Sequence, residues 1–290
     1  MGWYVHHVNL PAHNVRESVA FFSKAAGMEE CPWVYPDPEK QDEKPLDNRA
    51  SLGMNNRGLH IVTERPLFAH ENGFMHNPTI GGHFAITVDD IGPVKQRLEA
   101  AGIPYDDAGV YAMAEMHQVS CYDPSFNLVE INQNVGERAG PAPAAGEEHG
   151  RVDQPGGWYL HHVNIAVVDV RKAVAFYRDI LGLEEKSLVQ PESAGNFRVD
   201  PEALGIFGSE NRGLHLIKPE AAWAVNNGLA HNPSVGGHVA ICVPDLDKVT
   251  ANLDAMGVPY SDAGSIAMKD MRQVFCFDPS MNLIEFNGLV

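Results

Sequence analysis

The sequence predicts an α+β protein of four βαβββ modules arranged in two tandem domains. Three observations carry this. The chain matches itself without a gap at a shift of 155 residues, with about 57 of 130 aligned positions identical, which marks a duplicated domain. Within each copy the order strand, helix, strands occurs twice. The strand candidates alternate apolar with polar residues, so one face of each can cover a helix. The copies span residues 1–133 and 158–290. Residues 134–157, with Gly-Pro-Ala-Pro-Ala-Ala-Gly and Gln154-Pro155-Gly156-Gly157, read as an exposed linker.

In copy one, Val5 to Leu10 is a strand. Val15 to Ala26 is a helix with Val15, Val19, Phe22 and Ala26 on one face. Asn14 (Asp169 in copy two) caps its start and Gly27 (Gly182) ends it. Pro36 to Arg49, rich in charge and proline, reads as a loop. Leu59 to Val62 and His83 to Val88 are strands, and Ile91 to Ala101 is a helix closed by Gly102. Gln118 to Tyr122 and Leu128 to Asn132 are strands joined by an Asp-Pro-Ser turn.

Composition bounds the function. Lys and Arg number 21 against 38 Asp and Glu, for a net charge of −17. That balance argues against nucleic acid or an anionic membrane as partner. No apolar run approaches the roughly 18 residues of a membrane span. No signal-peptide pattern is visible, and four cysteines do not make a disulfide scaffold. A reducing, cytoplasmic setting is expected, with a small molecule as partner and a homo-oligomer as a candidate assembly.

Histidine is the outlier at 14 residues, ten of them in repeat-matched pairs. In the strand phases Val8, Leu10, Leu59, Ile61, Phe84, Ile86, Val129 and Ile131 are helix-facing, and His7, His60, His83 and Glu130 share the other face. Copy two places His162, His215, His238 and Glu285 alike. A lone buried His is more often structural than a ligand. At this identity, however, four polar-face groups survive together by chance about once in 25. If the sheet curls, they converge in a cup. Two imidazoles and a carboxylate then make a facial metal triad with open positions. His6 and His161 fall on the opposite phase and read as structural, His76 and His231 as loop or cup-mouth residues, Arg57 and Arg212 as surface residues, and Tyr105 and Tyr260 as core.

The run His161 to Val170, then Ala175 to Leu183, and the closing Asp278-Pro279-Ser280-Met281-Asn282-Leu283-Ile284-Glu285 resemble the vicinal oxygen chelate superfamily of glyoxalases, epimerases, extradiol dioxygenases and bleomycin-resistance proteins. The family's usual Asp-Gly in the closing motif is Ser-Met here and Ser-Phe in copy one. The resemblance implies paired-module cups with metal ligands on the first, fifth and eighth strands. These fall on His7, His83 and Glu130, and on His162, His238 and Glu285. A fourth position, on the fourth strand and typically Glu or Gln in glyoxalase-like members, is His60 or His215. Each is a candidate catalytic base, since imidazole titrates near neutrality, or a fourth ligand.

Three functions follow. One is a ring-cleavage dioxygenase using Fe(II), favoured because two His and one carboxylate with open positions is the non-heme iron pattern. Another is a lyase or isomerase, glyoxalase- or epimerase-like, in which Zn, Ni, Co or Mn acts as a Lewis acid. The third is a metal-free small-molecule-binding protein, which two intact ligand sets disfavour. The spacing leaves open whether each cup closes within its own copy.

Overall fold

The computed structural model describes residues 3–37, 39, 46–136, 153–189, 200–265 and 268–290. The expected loop at 36–49 and linker at 134–157 therefore lie partly outside the described residues. Two mixed sheets with helices form two tandem domains. Copy one gives β1 (Trp3–Pro11), α1 (Val15–Ala26), β2 (Arg49–Leu52), β3 (Gly58–Val62), α2 (Phe68–Asn72), β4 (His83–Val88), α3 (Gly92–Ala100), β5 (Tyr105–Val110), β6 (Met116–Tyr122) and β7 (Leu128–Asn134). Copy two gives β8 (Tyr159–Ala166), α4 (Val170–Asp179), β9 (Glu185–Lys186), β10 (Leu204–Phe207), β11 (Gly213–Ile217), α5 (Trp223–Asn226), β12 (His238–Cys242), α6 (Leu246–Met256), β13 (Tyr260–Gly264), β14 (Met271–Phe277) and β15 (Leu283–Leu289).

The first sheet runs β2-β3-β1-β4-β7-β6-β5 and the second β13-β14-β15-β12-β8-β11-β10-β9. Each sheet draws all its strands from one copy, so each cup closes within its own half of the chain. Modules meet where β1 pairs antiparallel with β4 and β8 with β12. The strand corresponding to β9 in copy one is reduced, among the described residues, to a single bridge between Cys31 and Ser51.

Local sequence explains the helices. Asn14 Oδ1 accepts from Glu17 N at 3.1 Å and Asp169 Oδ1 from Lys172 N at 3.0 Å, caps worth about 1 kcal/mol each. Gly27, with φ of 66°, ends α1 in the left-handed conformation that glycine adopts freely. Val15, Phe22 and Ala25 are fully buried. One apolar core runs through both copies. Across the domain boundary the tryptophans are exchanged. A Cβ on Gly58 would stand 2.8 Å from the Trp158 ring, and one on Gly213 would stand 3.0 Å from the Trp3 ring.

Two local readings are corrected. Arg49 opens β2 rather than closing a loop. The phase of β1 is not uniform either. Val5 faces Ile86 and His7 faces Ala85, so His6 is an inserted residue, a β-bulge. β8 repeats this with His161, between Leu160 and His162. Val5 and Val8 both enter the core, so the two residues between them share the opposite face. His6 and His161 are therefore not behind the sheet.

Candidate metal centres

In each copy the cup gathers the group named from the strand phases. His7 projects from β1, His83 from the start of β4 and Glu130 from β7. Their donor atoms lie within 4.8 Å of one another, as do those of His162, His238 and Glu285. His7 Nε2 is 3.2 Å from His83 Nε2, and His83 Nε2 is 3.5 Å from Glu130 Oε2. In copy two, His162 Nε2 and His238 Nε2 are 3.2 Å apart, and they stand 3.8 and 3.2 Å from Glu285 Oε2. A point equidistant from those three atoms lies about 2 Å from each, an ordinary metal–imidazole or metal–carboxylate length.

The surroundings prepare the donors. A carbonyl only accepts, so His83 Nδ1–H donates to Pro78 O at 2.8 Å and His238 Nδ1–H to Pro233 O at 3.0 Å. Both rings then turn a lone pair on Nε2 into the centre. Gln118 Nε2 donates to Glu130 Oε1 at 3.1 Å. Gln273 Nε2 donates to Glu285 Oε2 at 3.1 Å, and Asn287 Nδ2 donates to Glu285 Oε1 at 2.8 Å. The residue types, donor spacing and tautomers fit a divalent ion.

The bulge gives His6 a place beside the centre. Its Nδ1 is 3.0 Å from His7 Nδ1, and His161 Nδ1 is 2.9 Å from His162 Nδ1. Burial holds both His6 and His7 well below the usual histidine range. His60 and His215 stack on the ring of the first-strand His, at centroid distances of 4.0 and 4.1 Å. Each donates Nε2–H to a backbone carbonyl at 2.9 Å, that of Asn56 and of Asn211, which leaves the lone pair on Nδ1. Burial, helped by His83, pushes His60 down to about 3. Neither ring belongs to the three-donor groups.

The remaining expectations separate. His76 lines the mouth of cup one and bonds Asp106 through Nδ1 at 2.6 Å. His231 bonds Ser261 Oγ at 2.8 Å. Arg57 lies over Tyr4 and donates to its hydroxyl, and Arg212 pairs with Glu210. Tyr105 packs its ring partly on the core and sends its hydroxyl to Glu99, away from the cup. Sequence reasoning passed over Gln118 and Gln273, although both match across the repeat and share the strand phase of the cup. It also missed Arg49 and Trp33 in the cup wall, because their counterparts are Leu204 and Leu188 and the repeat gave no signal there.

The model of the glyoxalase/bleomycin resistance protein/dioxygenase superfamily matches residues 4–131 and again 159–286. The chain belongs to this superfamily. No curated protein matches it in sequence. Among solved structures it is similar to the 2,3-dioxygenase LapB from Pseudomonas sp. KL28, at 15% identity and a TM-score of 0.60, over 99% of this chain and 93% of that one. It is also similar to a catechol 2,3-dioxygenase, at 16% identity and a TM-score of 0.58, over 98% and 92%. A third likeness is to the Mn(II)-bound glyoxalase from Novosphingobium aromaticivorans, at 12% identity and a TM-score of 0.58, over 98% and 81%. At these identities the likeness is one of fold. No described helix is long and apolar enough to cross a membrane.

Proposed function

We propose that each cup holds a divalent metal on its two His and one Glu and takes a small substrate by two adjacent oxygens. We further propose that the reaction is a ring-cleavage dioxygenation, with Fe(II) as the metal. The observation that carries this reading is the placement of His60 and His215. Their Nε2 atoms are committed to backbone carbonyls and neither ring is among the three donors that converge, which supports a site of three protein donors with open positions for two substrate oxygens and O₂. A bound metal would supply Lewis acidity and a template for both reactants.

The protein's own groups do the rest. Gln118 and Gln273 fix the carboxylate. The stacked His60 and His215 offer Nδ1 to a substrate hydroxyl proton. Burial keeps the His60 ring neutral at pH 7, in the accepting form. A proton taken there is held best with the negative charge of Glu130 and of the ionised substrate beside it. Trp33 packs on His60 at 4.4 Å and helps exclude water from cup one. Both atoms of O₂ enter a ring-opened product, so no external reductant is needed.

A second reading, a metal-dependent lyase or isomerase using Zn, Ni, Co or Mn, is favoured by the two complete donor sets in one chain. Elemental analysis of protein purified without chelator, with O₂ uptake on addition of catechol, decides between them. Iron with catechol-dependent O₂ uptake supports the dioxygenase. Nickel, cobalt or zinc with no O₂ consumption moves the lyase or isomerase ahead.

A further inference from the structure

The duplicated cups share their donors but not their walls. Cup one is a cavity of about 160 Å³ lined by Arg49, Trp33 and Ser120. Cup two is about 70 Å³, and the matched positions are Leu204, Leu188 and Phe275. Ser120 faces Glu130 across the β6–β7 ladder, and Phe275 faces Glu285 across β14–β15. Directly opposed residues stand about 5 Å apart at Cβ, so the exchange of hydroxyl for phenyl falls beside the metal-binding carboxylate. The Phe275 ring meets His238 edge-on at 5.7 Å and occupies space that stays open in cup one.

Charge diverges in the same direction. Among the described residues, Arg49 is the permanently cationic side chain lining cup one, and those lining cup two include no Arg, Lys or Asp. Its Nε donates to Tyr35 OH at 2.6 Å and its guanidinium lies 5.2 Å from the Tyr35 ring centroid, which holds the group at the wall. The Asp106 carboxylate at the cup mouth is already taken up by Met75 N, His76 N and His76 Nδ1, at 2.6 to 2.8 Å.

We propose that the two cups take different ligands. Cup one takes a vicinal-oxygen compound bearing a carboxylate, which Arg49 binds, and cup two takes a slimmer, uncharged one. This rests on the chelate reading above. A charge-assisted pair in a partly buried wall contributes about 10- to 100-fold in affinity. Where cup one has Arg49 and Ser120, the described wall of cup two presents Leu204 and Phe275, and desolvating a carboxylate against apolar side chains is unfavourable.

The test uses the full chain loaded with Mn(II) and kept anaerobic, titrated calorimetrically with catechol and with 3,4-dihydroxybenzoate. Catechol is expected to fill two sites per chain and 3,4-dihydroxybenzoate one. Arg49→Leu installs the residue that copy two already carries at this strand position, and it should weaken 3,4-dihydroxybenzoate about 10- to 100-fold with catechol unchanged. Arg49→Lys should restore most of the loss. In the other direction, Leu204→Arg with Phe275→Ser should create a second site for 3,4-dihydroxybenzoate. Equal binding of both probes at both cups, or an Arg49→Leu variant that leaves their ratio unchanged, overturns the proposal and leaves the chelate reading standing. Binding of neither probe to the metal-loaded wild type overturns both.

Discussion

At the scale of single residues, the bulged histidines change what a substitution should do. For His162 to present a lone pair on Nε2, its proton must sit on Nδ1, and the atom 2.9 Å away that can accept it is His161 Nδ1. His161→Asn keeps an acceptor near that position and should hold metal within a few-fold of wild type. His161→Leu removes the acceptor and should weaken metal binding at copy two about 10- to 100-fold. Competition with a chelating dye measures both, and equal affinities would mean that His161 only fills space. His215→Gln should keep most of the metal, since three donors remain, while turnover falls about 10²- to 10⁴-fold, the usual contribution of a general base. Loss of metal at neutral pH in that variant would make His215 a ligand. The triad positions were legible because strand alternation needs only residue types. The role of His6 and His161 was not, because an inserted residue resets the alternation without leaving a mark in composition.

At the scale of elements, the well-patterned pieces were read closely. The expected α1 and β4 coincide with the observed Val15–Ala26 and His83–Val88. The short helices α2 and α5, of five and four residues, have too few turns to show a period. β2 was hidden in a loop-like composition, and its pairing with β3 fixes it instead. That strand matters to function, since Arg49 stands on it. The caps belong to this scale too. Asp169→Ala should lower stability by about 1 kcal/mol through loss of the bond to Lys172 N. Metal binding should be little changed, because α4 lies on the core side of the sheet, and urea melts with and without metal test both halves of the expectation.

At the scale of the whole molecule, the cups should govern both metal content and acid stability. With a complete triad in each copy, metal-replete protein should carry about two divalent ions per chain by elemental analysis. A reproducible value of one would mark one cup as degenerate. In the metal-free protein, burial holds His6, His7 and His60 neutral. The unfolded chain protonates these rings below about pH 6.5 and so binds more protons than the native state. Their stability contribution is fully present above that pH and is lost as pH falls, by up to about 1.4 kcal/mol per unit for each ring. Urea melts of chelator-treated protein at pH 7, 6 and 5 should therefore show a steep loss, shallower in His60→Gln. A profile that stays flat would mean that these rings take up protons without unfolding.

The exchanged tryptophans bear on the ancestry of the chain. Trp3 seats on Gly213 and Trp158 on Gly58, so each half supplies both the plug and the socket. A single copy of the repeat carries the same pair, and two such copies related by a twofold axis would satisfy it with one self-complementary surface. The present chain thus has the layout of a symmetric dimer fused end to end. Fusion frees each half from being identical to the other. A separate dimer would have to place Arg49 and Ser120 in both cups, or Leu204 and Phe275 in both, whereas one polypeptide can carry one set in each.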